Sequence, residues 1–144
     1  IEKFFPTLVY GKDVELNKSF VDWVKQPHRC YYDEIKLLED ITINGLVHIT
    51  GGGLIDNPPR VLSEDKCMNI YKENLITQHF SYIQNQGNIS DEEMYRTLNC
   101  GIGFMIVLDD ENYKKAKYIF HKNKIEYCRA GYISKRTGEA VNFI

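Results

Sequence analysis

The chain has 144 residues, 43% of them hydrophobic and 26% charged, with a formal net charge of −2. That balance suits one globular domain with a sizeable core and excludes a disordered or fibrous chain. It leaves no basic footprint for nucleic acid, and the pairs Lys114-Lys115 and Lys135-Arg136 are too short to make one. No apolar run approaches the roughly 20 residues of a membrane span; the longest runs from Ile102 to Leu108. The start has no signal-peptide pattern. Cys30, Cys67, Cys100 and Cys128 lie far apart, which reads as reduced cytosolic thiols rather than a zinc site or a disulfide framework. The histidines are scattered too, and no metal site is expected. The chain opens on Ile1, not Met, so we expect a piece of a longer protein.

Residues 1–26 read as irregular. Phe4-Phe5-Pro6 opens an extended stretch, because the residue before a proline avoids helix. Val14 to Lys25 reads as a short helix or as an arm that docks on a neighbour, and Pro27 marks the start of the compact domain. From Asp33 a helical pattern places Ile35, Leu38 and Ile41 on one face and ends near Asn44-Gly45. A strand, Leu46 to Ile49, runs into the triplet Gly51-Gly52-Gly53. Asp56-Asn57-Pro58-Pro59 reads as a turn or extended loop, and Cys67 to Tyr71 as a strand.

Leu75, Ile76, His79, Phe80 and Ile83 form a helical stripe closed by Gln86-Gly87. Ser90 and Glu93 have capping-box spacing, so a short helix starts there. Gly101 to Leu108 reads as a buried strand whose glycines let something pack close to its beginning. Asp109 or Asp110 caps the next helix, with Tyr113, Ala116, Lys117 and Phe120 on one side. Ile125 to Ser134 reads as a strand, Lys135 to Gly138 as a turn, and Glu139 to Phe143 as the last strand of a hairpin. This order predicts an α+β fold, a layered domain with a mixed β-sheet covered by helices.

A glycine triplet gives up backbone entropy, which calls for a left-handed turn or a close approach to something. Here His48 and Thr50 precede it, and Asp56, Asn57 and Arg60 follow. Bare amides beside a hydroxyl, an imidazole and a guanidinium make an anion-binding concavity. The loop is not a P-loop, because no Gly-Lys-Ser/Thr follows, and the spacing of a dinucleotide fingerprint is absent. A tight glycine turn without a ligand is the competing reading. His48, at the strand end, is the candidate for handling a proton, against a purely structural role. Arg60 and Arg96 suit bidentate phosphate contacts, against surface ion pairs. A second constellation, Glu93 to Gly103, carries Arg96, Thr97 and Asn99 to the mouth of a glycine-started strand, where polar groups commonly line a pocket, against plain packing of Met94 and Leu98 in the core. Cys100 has no identifiable base beside it in the sequence.

Taken together, the two constellations resemble one family. His48-Ile49-Thr50-Gly51-Gly52-Gly53-Leu54 followed by Asn57, Pro59 and Arg60 resembles the His-Ile-Thr-Gly-Gly-Gly…Glu-Asn-x-Pro-Arg motif of phosphoribosylformylglycinamidine cyclo-ligase, also called aminoimidazole ribonucleotide synthetase. Gly87 to Gly103 resembles its Glu-Met-Tyr-Arg-Thr-Phe-Asn-Met-Gly-Ile-Gly motif, and Pro27-His28-Arg29-Cys30-Tyr31 its Pro-Thr-Arg-Ile-Tyr lead-in. Asp56 stands for the motif's Glu, Leu98 for its Phe and Cys100 for its Met, while Tyr132 stands where an acidic residue is frequent.

The resemblance covers Pro27 to Ile133 and implies a C-terminal domain with a partly ferredoxin-like fold. It further implies that residues 1–26 are a connector from an N-terminal ATP-binding domain, and that residues 27–144 are the substrate-side domain. The implied reaction is ATP-dependent closure of formylglycinamidine ribonucleotide to aminoimidazole ribonucleotide in purine biosynthesis. In it the amide oxygen is phosphorylated and then displaced as nitrogen attacks. ATP and Mg²⁺ would be held mainly by the N-terminal domain, in a cytoplasmic homodimer, with no membrane or nucleic-acid partner.

By the same resemblance Thr50, Gly51, Gly52 and Gly53 contact phosphate or substrate, with Asn57, Arg60, Arg96, Asn99 and Gly101 as neighbours and His48 as the catalytic candidate. A bulky residue at Gly52 is then expected to weaken ligand binding more than folding. Two other readings stand beside this one: a non-catalytic module that binds a phosphorylated metabolite, and another ATP-dependent enzyme of the same superfamily.

Overall fold

The computed structural model describes residues 15–75 and 78–144. Helix α1 (Glu15–Val24) is followed by the short α2 (Tyr32–Lys36), strand β1 (Gly45–His48) and a single helical turn, α3 (Gly53–Asp56). Then come β2 (Lys66–Ile70), α4 (Gln78–Gly87), α5 (Asp91–Thr97), β3 (Phe104–Val107), α6 (Asp110–Lys122), β4 (Gly131–Lys135) and β5 (Val141–Phe143). The extended stretch expected at Phe4-Phe5-Pro6 and the stripe residue Ile76 lie outside the described residues.

The α+β class with a mixed sheet is what the strands form, divided between two sheets. β1 pairs antiparallel with β3, setting Val47 opposite Met105 and His48 opposite Phe104. The other sheet runs β4-β2-β5, with β2 antiparallel to β4 and parallel to β5. The hairpin expected at the C-terminus is therefore wrong in its pairing: β2 lies between its two strands. Asn69 of β2 is buried and donates to Ser134 Oγ at 2.9 Å, while Asn142 Nδ2 donates to Asn69 Oδ1 at 3.3 Å. Three neighbouring strands are thus tied through one carboxamide, which local pattern alone does not reveal.

The hydrophobic stripes sort the helices. Met94 and Tyr95 of α5 are buried, and Tyr95 stacks on Phe143 of β5 at 4.2 Å. Met68, Ile70, Met94 and Met105 join Val47 and Leu54 in the main core. Leu38 and Ile41 make a second cluster with Ala116 and Phe120 of α6. α1 lies on α4: Trp23 stacks on His79 at 4.6 Å and meets Phe80 edge-on, while Phe20 packs on Tyr82.

Both expected caps form. Ser90 Oγ accepts the Glu93 N–H at 3.3 Å, and Asp109 Oδ1 accepts the Asn112 N–H at 2.8 Å, satisfying donors that a first helical turn leaves free. Three boundaries differ from expectation. The helix from Asp33 stops at Lys36, and Leu38 and Ile41 are buried from turns instead. The turn or extended loop expected at Asp56 to Pro59 runs into a 3₁₀ helix, Pro58–Val61, because Pro58 and Pro59 supply the φ that a first 3₁₀ turn requires. Residues 125–130 have no regular structure, so β4 begins only at Gly131.

Candidate functional site

β1 carries its chain straight into the glycine triplet, and three features hold the loop. Gly52 and Gly53 take left-handed φ values of 102° and 55°, a conformation that costs other residues about 1 kcal/mol or more. Gly53 also lies so close to α5 that a β-carbon there would stand 2.2 Å from the Tyr95 carbonyl oxygen. Beneath the loop is Asn57, only 2% exposed. Its Nδ2 donates to the Gly53 carbonyl at 2.8 Å, with longer contacts to those of Gly51 at 3.3 Å and Thr50 at 3.4 Å, and its Oδ1 accepts from Thr50 Oγ1 at 3.2 Å.

The outer side of the loop is open. Gly51 is exposed, and a β-carbon built there meets nothing within 4 Å. Among the described residues the Gly51 and Gly52 N–H groups have no hydrogen-bond acceptor, whereas the Gly53 N–H donates to Thr50 O at 2.9 Å. The loop therefore carries two unpaired backbone donors, one of them on an exposed residue.

Arg96, on the exposed side of α5, reaches Asp56 at 3.6 Å and Glu92 at 3.3 Å. All three side chains are about half exposed or more, and such pairs are worth about 1 kcal/mol at most. Arg60 is exposed, and its N–H donates to the Asn57 carbonyl, so it stands one turn beyond the residue that braces the loop. Asn99 is turned inward on its own strand approach, where its Oδ1 accepts the Gly101 N–H at 3.1 Å. The turn it shapes puts Cys100 at φ 49° and Gly101 at φ 102°. That turn adjoins the loop, since the Ile49 N–H donates to Gly103 O at 3.0 Å.

Apart from His48 and Arg60, the predicted residues gather in two groups joined by the β1–β3 ladder. Thr50 to Gly53 with Arg96 form an outward-facing seat, and Asn57 is its brace rather than part of its surface. Asn99 and Gly101 belong to the neighbouring turn. Cys100 is fully buried, with its thiol donating to the Met94 carbonyl at 3.5 Å. Burial, helped by Asp91, pushes the thiol up to about 12, so it is protonated at neutral pH and inert as a nucleophile.

His48 is exposed at the end of β1, and its Nε2 lies 3.0 Å from Nε2 of His28. The rings of Tyr31 and Phe104 complete this corner, at 5.0 Å from each other and 6.2 and 5.8 Å from His48. Tyr31 is the close neighbour anticipated at the strand start: a β-carbon on Gly103 would stand 2.0 Å from its hydroxyl. Burial raises the Tyr31 phenol, and Glu34 adds to this, while the Arg29 guanidinium opposes it from 5.7 Å above the ring. Arg29 holds Oε1 of Glu34 through Nε at 3.0 Å and Nη2 at 2.6 Å, leaving buried Oε2 without a partner among the described residues. Sequence spacing does not couple His28 to His48, because 20 residues and a helix separate them.

A cavity of about 610 Å³ is bounded by β3, α6 and β4. Of the predicted site residues it reaches only Gly101, so it is distinct from the seat above the glycine triplet.

Comparison with known proteins places this geometry. Residues 8–144 match the family described as AIR synthase related protein, C-terminal domain, a match that begins ahead of Pro27. A phosphoribosylformylglycinamidine cyclo-ligase of Methylobacillus flagellatus is 39% identical over 136 residues, covering 90% of this chain and 39% of that protein. One of Leptospira interrogans is 33% identical over 144 residues, covering 99% of this chain and 40% of that protein. One of Geotalea daltonii is 42% identical over 99 residues, covering 67% and 28%. The chain spans about two-fifths of the length of the first two relatives. With the glycine loop, its asparagine brace and the α5 arginine all inside the matched region, the chain belongs to the family of AIR synthase related C-terminal domains.

Proposed function

We propose that this chain is the substrate-side domain of a phosphoribosylformylglycinamidine cyclo-ligase. The enzyme would close formylglycinamidine ribonucleotide to aminoimidazole ribonucleotide at the expense of ATP. The observation that carries the reading is the glycine loop: braced from within by Asn57, it leaves the Gly51 and Gly52 N–H groups without an acceptor among the described residues. Names of relatives over nine-tenths or more of this chain support the choice of reaction.

In this reading the loop cradles a phosphate, of the substrate or in transfer, with Arg96 and Arg60 supplying bidentate charge. His48 stands at the loop's edge, where it donates to developing negative charge or moves a proton. Preorganised donors of this kind act where charge builds in the transition state, and removing one typically costs on the order of 10²–10³ in rate. Among the described residues no group of three or more His, Cys, Asp or Glu gathers to hold a cation. The share of chemistry proposed here is anion binding and charge stabilisation, with ATP and Mg²⁺ held mainly by an N-terminal domain. Residues 27–144 form the domain proper, and the segment before them leads in from that N-terminal domain. The family setting extends the proposal to a cytoplasmic homodimer.

The test is turnover by the full-length gene product with formylglycinamidine ribonucleotide and ATP. Gly51→Val is expected to lower turnover at least tenfold with the melting temperature unchanged. Full turnover by that variant removes the cradle from the mechanism.

A further inference from the structure

His48 ends β1 opposite Phe104 and immediately before the glycine loop. His28 approaches it from the segment ahead of α2, with Nε2 to Nε2 at 3.0 Å and ring centroids at 5.2 Å. The difference between those distances is about two ring radii, so the nitrogens meet head-on along the line between the rings. Two imidazoles that share a metal ion do something else: their lone pairs converge on a point about 2.0–2.1 Å from each nitrogen. A head-on contact instead needs one N–H and one lone pair. Two neutral rings of opposite tautomer satisfy it, and so does one imidazolium facing one neutral ring. Two imidazolium rings do not.

The corner that holds His28 is closely packed. Tyr31 meets His28 edge-on at 5.9 Å and packs on Phe104, while its hydroxyl occupies the space a side chain at position 103 would need. The charged and titratable groups around the pair are Tyr31, Arg29 above the Tyr31 ring, and Glu34, which Arg29 engages. Among the described residues no carboxylate bonds either imidazole, so each ring's only hydrogen-bond partner is the other.

We propose that His28 is a positioning residue for His48: it fixes the tautomer and orientation of that ring beside the glycine loop. The proposal rests on the loop being an anion site. Its test has a separate readout for each idea.

In this chain labelled with ¹⁵N-histidine, long-range ¹H–¹⁵N spectra report whether each Nε2 carries a proton. With both rings neutral we expect one protonated and one bare Nε2 across the pair. In His28→Phe we expect a mixture of tautomers at His48, and in His28→Gln, whose amide can again donate or accept, a single tautomer. An unchanged His48 tautomer in His28→Phe overturns the proposal. So does a parent spectrum with both Nε2 atoms bare and shifted by micromolar Zn²⁺, which would make the pair a chelate. Inorganic phosphate, followed at the Gly51 and Gly52 amide signals, tests the loop itself. If phosphate leaves those signals unmoved while the tautomers respond to His28, the anion reading fails and the pairing stands.

Discussion

The carboxamide of Asn57 donates to the carbonyl of Gly53 at 2.8 Å from a position almost sealed from solvent. This contact decides how the glycine triplet is held. A loop of three glycines has little side-chain packing of its own, so its shape is imposed from inside by a polar group that cannot turn to water. Asn57→Ala leaves the Thr50, Gly51 and Gly53 carbonyls without that donor. Unsatisfied buried groups cost about 1–3 kcal/mol each, and partial rehydration limits the total. We expect a loss of about 2–3 kcal/mol in urea denaturation, together with weaker phosphate binding. A stability within 0.5 kcal/mol of the parent would mean that the loop holds its own shape.

Neighbouring glycines are expected to separate folding from binding. At Gly53 an alanine meets the Tyr95 carbonyl and a left-handed φ together, for which strain and overpacking suggest about 2–4 kcal/mol. At Gly51 an alanine meets nothing, so stability should stay within about 0.5 kcal/mol, while phosphate affinity measured by NMR falls. Gly52 sits between them. Its φ of 102° and the Asp56 β-carbon 3.0 Å from its would-be side chain mean that a bulky residue there harms folding as well. That makes Gly51 the cleaner probe, which the sequence does not disclose.

Tyr31 and Gly103 form a size-complementary pair. Gly103→Ala drives a methyl group into the Tyr31 hydroxyl, and we expect a loss of about 1–3 kcal/mol, typical of overpacking. On a Tyr31→Ala background the same change should cost much less. A double-mutant cycle on thermal denaturation gives the coupling. Strict additivity would show that the two positions do not share that space.

Cys100 gives a prediction in pH. Its thiol is raised from an ordinary 9.0 to about 12 in the folded protein. The unfolded chain therefore releases its proton first. The stabilisation is complete below about 9 and is lost as pH rises from there toward 12. Between pH 8 and 11, unfolding free energy should fall more steeply in the parent than in Cys100→Ala. Alkylation at pH 8 should label exposed Cys30 but leave Cys100 untouched until the protein unfolds. Labelling of native Cys100 at that pH would overturn its burial.

Features that depend on near neighbours were legible in the sequence. The Ser90 and Asp109 caps involve residues three apart, and the glycine triplet declares its own need for unusual φ. The strands β1, β2 and β3 were placed to within a few residues because their apolar runs are short and bounded. What escaped depends on contacts across the fold. β2 enters between β4 and β5 through pairings with no local signature. Asn57 reads as a ligand contact from its motif, yet its side chain points into the loop it supports. Nothing in the spacing of His28 and His48 announces a head-on pair, because a helix and a strand intervene before they meet.

Gly53 rests on the bare backbone of α5, at Tyr95 and Arg96, with no side chain between them to flex. The glycine loop and that helix therefore meet backbone to backbone, and any displacement of α5 would carry Gly53 with it.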